Sequence, residues 1–244
     1  MCNDAAMEAP EPPVVVLVHG AWHGAWCWTA LQAELDRRGI PSLAIDLPGH
    51  GASIERYGDL FGDAAAVSAL LAKQQRPIVL VGHSYGGAVI SQATAETGNV
   101  IHLVYLAAFV PDVGENVTTM STTMPQAPTA LAGAIKIDGE FSTIDPAAAW
   151  GAFYAHCDPM AATANVARLD RQPFATLTQV ATHASWRSTS STYVVCTDDA
   201  AVHHSHQRLM AARCTHVETL DTDHSPFASM PAETAEIIAR IARG

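Results

Sequence analysis

The sequence predicts a mostly parallel, doubly wound α/β sheet interrupted by an insertion. Three observations predict it. Short, β-branched apolar runs recur along the chain, stretches with helical periodicity separate them, and the alternation lapses once, between Pro111 and about Ser188. A run that is apolar at every position reads as a strand buried on both faces, as parallel strands are beneath their crossover helices.

In chain order, Pro12-Pro13 closes an acidic, proline-rich segment, residues 1–13, expected to be a flexible tail. Val14 to Val18 (VVVLV) gives the first strand. Trp28, Leu31 and Leu35 follow at helical spacing and stop before Gly39, which suits a helix C-terminus. Ser42 to Ile45 is the second strand, and an alanine-rich helix is expected over Asp63 to Lys73. Ile78 to Val81 and His102 to Leu106 are the next strands, with a helix over Ala88 to Ala95 between them. The stretch TTMSTTMPQAPTALAGA is rich in Thr, Ala and Pro and short of strand signals, so residues 111–188 are expected to be an insertion in a core of residues 14–110 and 189–244. Strand character resumes at Ser191 to Cys196, followed by a helix from about Val202 to Ala212 and a strand near His216 to Thr219. The last helix carries Ile237, Ile238 and Ile241 on one face, with Pro231 near its first turn.

Composition narrows the function. A chain of 244 residues, 49% hydrophobic, can bury one large core. A net charge of −11 with only 13 Lys+Arg leaves no basic surface for phosphate backbones, so nucleic acid is not an expected partner. The N-terminal stretch lacks a charged and an apolar targeting region, and no apolar run reaches membrane-spanning length; a cytoplasmic protein without a membrane partner is expected. Cys2, Cys27, Cys157, Cys196 and Cys214 are odd in number and scattered, which fits reduced thiols. A homodimer is compatible with the sequence, and no metal or organic cofactor is expected.

The chemistry is concentrated in VGHSYGG. Ser84 lies in Gly82-x-Ser84-x-Gly86 between a strand and a helical pattern, the setting of a nucleophile elbow, where a tight turn needs neighbours without Cβ atoms. A serine hydroxyl is a weak nucleophile at neutral pH, so a histidine base and an orienting acid should follow later in the chain. Asp199 follows the strand Tyr193 to Cys196, and His224 lies after the last short strand, in LDTDHSPF. Asp198, Asp221 and Asp223 compete for the acid's role, with Asp199 only weakly ahead of its neighbour. The cluster His203-His204-Ser205-His206 has no carboxylate or thiolate at ligand spacing and reads as a helix surface. The Tyr85 amide is one oxyanion donor by position, and the Ala21 amide, in the loop after the first strand, is the candidate for the second. His19 and His83 flank the site as scaffold residues.

Taken together, VLVHGAWHGAWCW, LAIDLPGHG, VLVGHSYGG, VYLAAFVPD, YVVCTDD and DTDHSPF resemble the plant methylesterase, salicylic-acid-binding protein and hydroxynitrile lyase branch of the α/β-hydrolase superfamily, with its bacterial relatives. The resemblance implies the α/β-hydrolase fold and places the nucleophile on Ser84, the base on His224 and the acid on Asp199. It also implies oxyanion donors at Ala21 and Tyr85, and a helical cap over 111–188. Lyases of this branch carry threonine after the first motif's histidine and lysine after the catalytic histidine; Gly20 and Ser225 stand there instead, which favours hydrolysis.

Met120, Met124, Trp150, Phe153 and Tyr154 are expected to close an apolar chamber over Ser84, beside Leu131, Phe141 and Met160, with Trp22 below. A small, uncharged ester is the expected substrate. Hydrolysis of a carbamate or amide, as in bacterial relatives acting on carbendazim, is the alternative, and a non-catalytic small-molecule receptor is the reading from a different class.

Overall fold

The computed structural model describes residues 11–93, 99–125 and 127–244. The expected tail up to residue 10, with Cys2, and the expected helix end at Ala95 lie outside the described residues.

The chain runs β1 (Val14–Val18), α1 (Thr29–Arg37), β2 (Ser42–Ile45), α2 (Leu60–Leu71), β3 (Ile78–His83), α3 (Tyr85–Gln92) and β4 (Val100–Leu106). Then come α4 (Val117–Thr123), α5 (Ala130–Ala134), β5 (Ile135–Asp138), β6 (Phe141–Ile144), α6 (Pro146–Phe153), α7 (Pro159–Val166), β7 (Gln172–Pro173) and α8 (Phe174–Thr178). The chain ends with β8 (Ser191–Cys196), α9 (His204–Ala211), β9 (His216–Leu220), α10 (Pro226–Ser229) and α11 (Pro231–Arg243). This is an α/β-hydrolase fold. Its central sheet has six strands in the order β2-β1-β3-β4-β8-β9, with every neighbouring pair parallel.

That order fixes the position of a site. From β1 the chain moves outward to β2, then returns to the other side of β1 for β3, so the loops leaving β1 and β3 diverge at the carboxyl edge and open a crevice there. The strands flanking the crevice, β1 and β3, are buried at every position, because helices cover both faces: α1 packs on α11, and α2 on α3. In α11, Ile237 and Ile238 are buried and Ile241 is partly buried against the core, the arrangement its periodicity predicts.

Two sequence expectations need correction. Residues 111–188 do contain strands: β5, β6 and β7 form a separate antiparallel sheet. The legible signal was the alternation Ile135-Lys136-Ile137-Asp138 followed by Gly139, whose φ of 59° a Cβ would disfavour, joining β5 to β6. The ninth helix starts at His204 rather than Val202, because the Ala201 and Val202 amides are drawn to the Asp199 carboxylate and His203 caps the helix with its ring.

Candidate active site

Ser84 sits between β3 and α3 with φ 51° and ψ −120°, a conformation that costs a non-glycine residue roughly 1–3 kcal/mol and persists only when its surroundings enforce it. The enforcement comes from both neighbours in space. The Ser84 N–H donates to the Leu106 carbonyl at 3.3 Å, and its own carbonyl accepts from Phe109 at 3.1 Å and Gly87 at 3.0 Å. Space beneath the turn is the other condition. A Cβ on Gly82 would lie 2.5 Å from the Gly86 carbonyl oxygen, and one on Gly86 would lie 2.5 Å from that of Val18.

The rival acids separate cleanly. Asp199 Oδ2 accepts from His224 Nδ1–H at 2.7 Å, and both side chains are almost wholly buried. Asp198 is exposed and pairs with His156 at 3.5 Å, while Asp221 accepts from the Thr197 hydroxyl at 2.5 Å. Asp223 holds the turn around His224 by accepting from Ser225 N–H at 3.0 Å and from His156 N–H at 2.8 Å. Asp199 is fixed in turn by Ala201 and Val202 N–H on Oδ1, at 2.7 and 2.8 Å, and by Gln207 Nε2 on Oδ2 at 2.8 Å. Gln207 is a functional neighbour that sequence reasoning missed. It is one more polar residue in α9, and nothing local marks it as reaching back to the strand end.

His224 is held from behind. His83 donates from Nε2 to the His224 carbonyl at 2.8 Å, and the two rings are 4.5 Å apart, so the residue preceding the serine carries the histidine's backbone. Burial pushes the His83 imidazole well below its usual range, and His224 beside it lowers it further; the ring stays neutral. His19 is similar. Burial first, then His50, pushes its pKa well down, and it bridges the Gly20 carbonyl (Nδ1, 2.8 Å) and the Leu47 N–H (Nε2, 3.1 Å). Because the Gly20 carbonyl and the Ala21 N–H belong to one peptide plane, holding the first aims the second. His23, brought down to about 4 mainly by burial, donates from Nδ1 to the Ala21 carbonyl at 2.7 Å and faces the Tyr154 hydroxyl at 2.7 Å.

Ser84, Tyr85, Ala21 and Trp22 border one cavity of about 390 Å³. Among the described residues its remaining wall is uncharged: Phe109 and Val202 from the sheet side, Val117 and Ser121 from α4, Leu131 from α5 and Ile135 from β5. A smaller lobe of about 220 Å³ shares Phe109, Leu131 and Val202 and extends towards Thr129 and His206.

The expected chamber residues distribute differently. Trp22 lines the cavity, but Met120 and Met124 border a separate cleft with Met210 and Arg213. The reason is helical phase: Val117, Thr118, Ser121 and Thr122 share the inner face of α4, which turns Met120 away, and Met124, just past the helix end, leaves in an extended conformation towards the same outer cleft. Trp150 is 43% exposed on α6 and does not reach the cavity. Phe153 and Tyr154 are buried behind the wall. Phe153 stands between Trp22 and His224, with ring centroids 6.1 and 5.7 Å away, and Tyr154 is bound to His23. The position after the first motif's histidine, Gly20, has no room for a threonine, since a Cβ there would lie 2.9 Å from both Ser84 Cβ and His83 Nδ1.

The chain is similar to several known proteins. Methylesterase 7 of Arabidopsis thaliana is 28% identical over 258 residues, covering 97% of this chain and 98% of that protein. A carbendazim hydrolyzing esterase of Nocardioides sp. is 36% identical over 110 residues, 43% of this chain and 46% of that one. The crystal structure of a pyrethroid hydrolase from Sphingobium faniae superposes with a TM-score of 0.82 at 24% identity, over 95% of this chain and 98% of that chain. The model of the alpha/beta hydrolase family matches residues 15–237, nearly the whole described sheet and its loops, and the chain belongs to that family.

Proposed function

We propose that the protein is a serine hydrolase that cleaves small, uncharged carboxylic esters through an acyl-enzyme. Ser84 is the nucleophile, His224 the base, Asp199 its orienting acid, and the Ala21 and Tyr85 amides the oxyanion donors. The observation that carries the reading is the buried Asp199–His224 pair at 2.7 Å, held by His83 next to the strained Ser84 at the edge of an uncharged cavity. In the first half-reaction a bond forms from Ser84 Oγ to the ester carbon as His224 takes the hydroxyl proton, and the carbonyl π pair moves onto oxygen, facing the two amides. Collapse breaks the C–O bond and hands the proton to the leaving alkoxide. Water, deprotonated by the same ring, then adds to the acyl carbon; the Ser84 Oγ–C bond breaks, His224 returns the proton to Ser84, and the acid leaves.

The main lobe of the cavity supports the substrate class: among the described residues, none of the side chains on its wall is an arginine, lysine or histidine that could form an ion pair with a substrate carboxylate. The carbendazim-hydrolyzing relative favours methyl carbamates as a second substrate class for the same triad. A reducing, cytoplasmic setting is supported by the four described cysteines, all free thiols. Among the described residues no helix is long and apolar enough to cross a membrane. Ser84→Ala is the test, with p-nitrophenyl butyrate and methyl carbamates as substrates. Turnover should fall by about 10⁴-fold or more with the fold intact; turnover close to wild type removes Ser84 from its role.

A further inference from the structure

Trp22 has φ 62°, a left-handed conformation that is a genuine outlier for a bulky aromatic residue. It directly follows Ala21, so whatever holds Trp22 in that conformation also sets the loop that presents the Ala21 N–H. Three of its polar groups are taken up by residues of the segment 111–188. Its backbone N–H donates to Gln172 Oε1 at 3.0 Å, its indole Nε1–H donates to Ser142 Oγ at 3.1 Å, and its carbonyl accepts from the Asp170 N–H at 2.9 Å.

Gln172 is the centre of this arrangement and is wholly buried. Its Oε1 also accepts from His50 Nε2–H at 2.9 Å, while its Nε2 donates to Thr176 Oγ1 at 2.9 Å, and that hydroxyl donates to the Pro173 carbonyl at 2.6 Å. Two donors therefore meet the oxygen and one acceptor meets the nitrogen, which leaves a single amide orientation. The peptide between Ala21 and Trp22 is held at both ends, its carbonyl by His23 and its N–H by Gln172.

We infer that Gln172 is a positioning residue for the oxyanion site: it fastens Trp22 in its strained conformation and thereby fixes the direction of the Ala21 amide. The inference rests on the reading of Ala21 as an oxyanion donor. It assigns the small antiparallel sheet a part in the reaction, since β6 and β7 supply Ser142 and Gln172.

The test compares Gln172→Met, Gln172→Glu and Ser142→Ala with wild type, using p-nitrophenyl butyrate and an alkyl trifluoromethyl ketone. The ketone forms a hemiketal: Ser84 Oγ bonds to the carbonyl carbon, its proton passes to His224, and the π pair becomes an oxyanion. Gln172→Met removes the acceptor. Its kcat should fall about 30-fold with KM changed less than about threefold, and the ketone's Ki should rise by the same factor, because one oxyanion donor is worth about 10²–10³ in kcat and is here misdirected rather than lost. Gln172→Glu, which keeps an acceptor for the Trp22 N–H but loses the donor to Thr176, should recover part of the loss in kcat and ketone affinity. A purely structural role would lower thermal stability and leave kcat per titrated site and ketone affinity unchanged, and that result overturns the inference. If Gln172→Met does not fold, Ser142→Ala decides: a parallel loss of kcat and ketone affinity supports it, and neither changing overturns it. Failure of the underlying reading looks different, for Ser84→Ala would then retain turnover.

Discussion

At Asp199 four hydrogen-bond donors meet two carboxylate oxygens, so every strong acceptor direction of the group is used, one of them by His224. Such a carboxylate holds the imidazole with its Nδ1 protonated and leaves Nε2 free to take a proton. Asp199→Asn keeps the shape but removes the charge that would steady an imidazolium and turns an amide –NH2 towards donors, so kcat should drop by about 10³- to 10⁴-fold, accompanied by a lower melting temperature. Asp198→Asn, at an exposed position 3.5 Å from His156, is the control and should stay within about twofold of wild type. Steady-state kinetics on both variants check the assignment; equal losses would refute it.

The face that α4 turns inward decides the shape of the cavity, and α5 closes it with Leu131, which borders both lobes. Leu131→Trp should fill the junction between them. We expect kcat/KM for p-nitrophenyl octanoate to fall at least about tenfold while the acetate changes less than about twofold, since a misfit of several methylenes is worth about 1–3 kcal/mol each. Met124→Ala, just past the end of the same helix and bordering the outer cleft, should leave the chain-length preference as it is. A profile of esters from acetate to decanoate separates the two, and a shift caused by Met124→Ala would contradict the assigned faces.

At the scale of the whole molecule, buried titratable groups tie stability to pH. Asp63, in α2, is almost wholly buried and accepts from the Tyr85 hydroxyl at 2.6 Å; burial raises its carboxyl to about 7, against the pull of that hydrogen bond. A carboxyl raised in the folded state binds a proton that the unfolded chain gives up near pH 4, so its contribution is full below about pH 4 and is lost as pH rises towards 7. Asp63→Asn should therefore gain stability relative to wild type across that window, by several degrees in Tm by pH 8. His19, His23 and His83 act in the opposite sense. Their folded pKa values are lowered, so the stability they lend is present above about pH 6.5 and is lost as acid protonates the unfolded chain. Melting curves of both proteins from pH 4 to 8 read the difference directly, and parallel curves would exclude a titrating Asp63.

How much was legible in the sequence follows from which forces are local. Strand runs, helix spacing and the Gly82-x-Ser84-x-Gly86 turn are written in neighbouring residues, because backbone sterics and burial on both faces act over a few positions. They determined the parallel sheet, the place of Ser84 and the candidates Asp199 and His224. What folding alone decided is contact between segments distant in the chain. The choice of Asp199 over Asp198 depends on which side of one turn faces His224, and the phase of α4 turned Met120 and Met124 out of the chamber. The hold of Gln172 on Trp22 joins residues 150 positions apart, a separation over which no sequence pattern carries a distance.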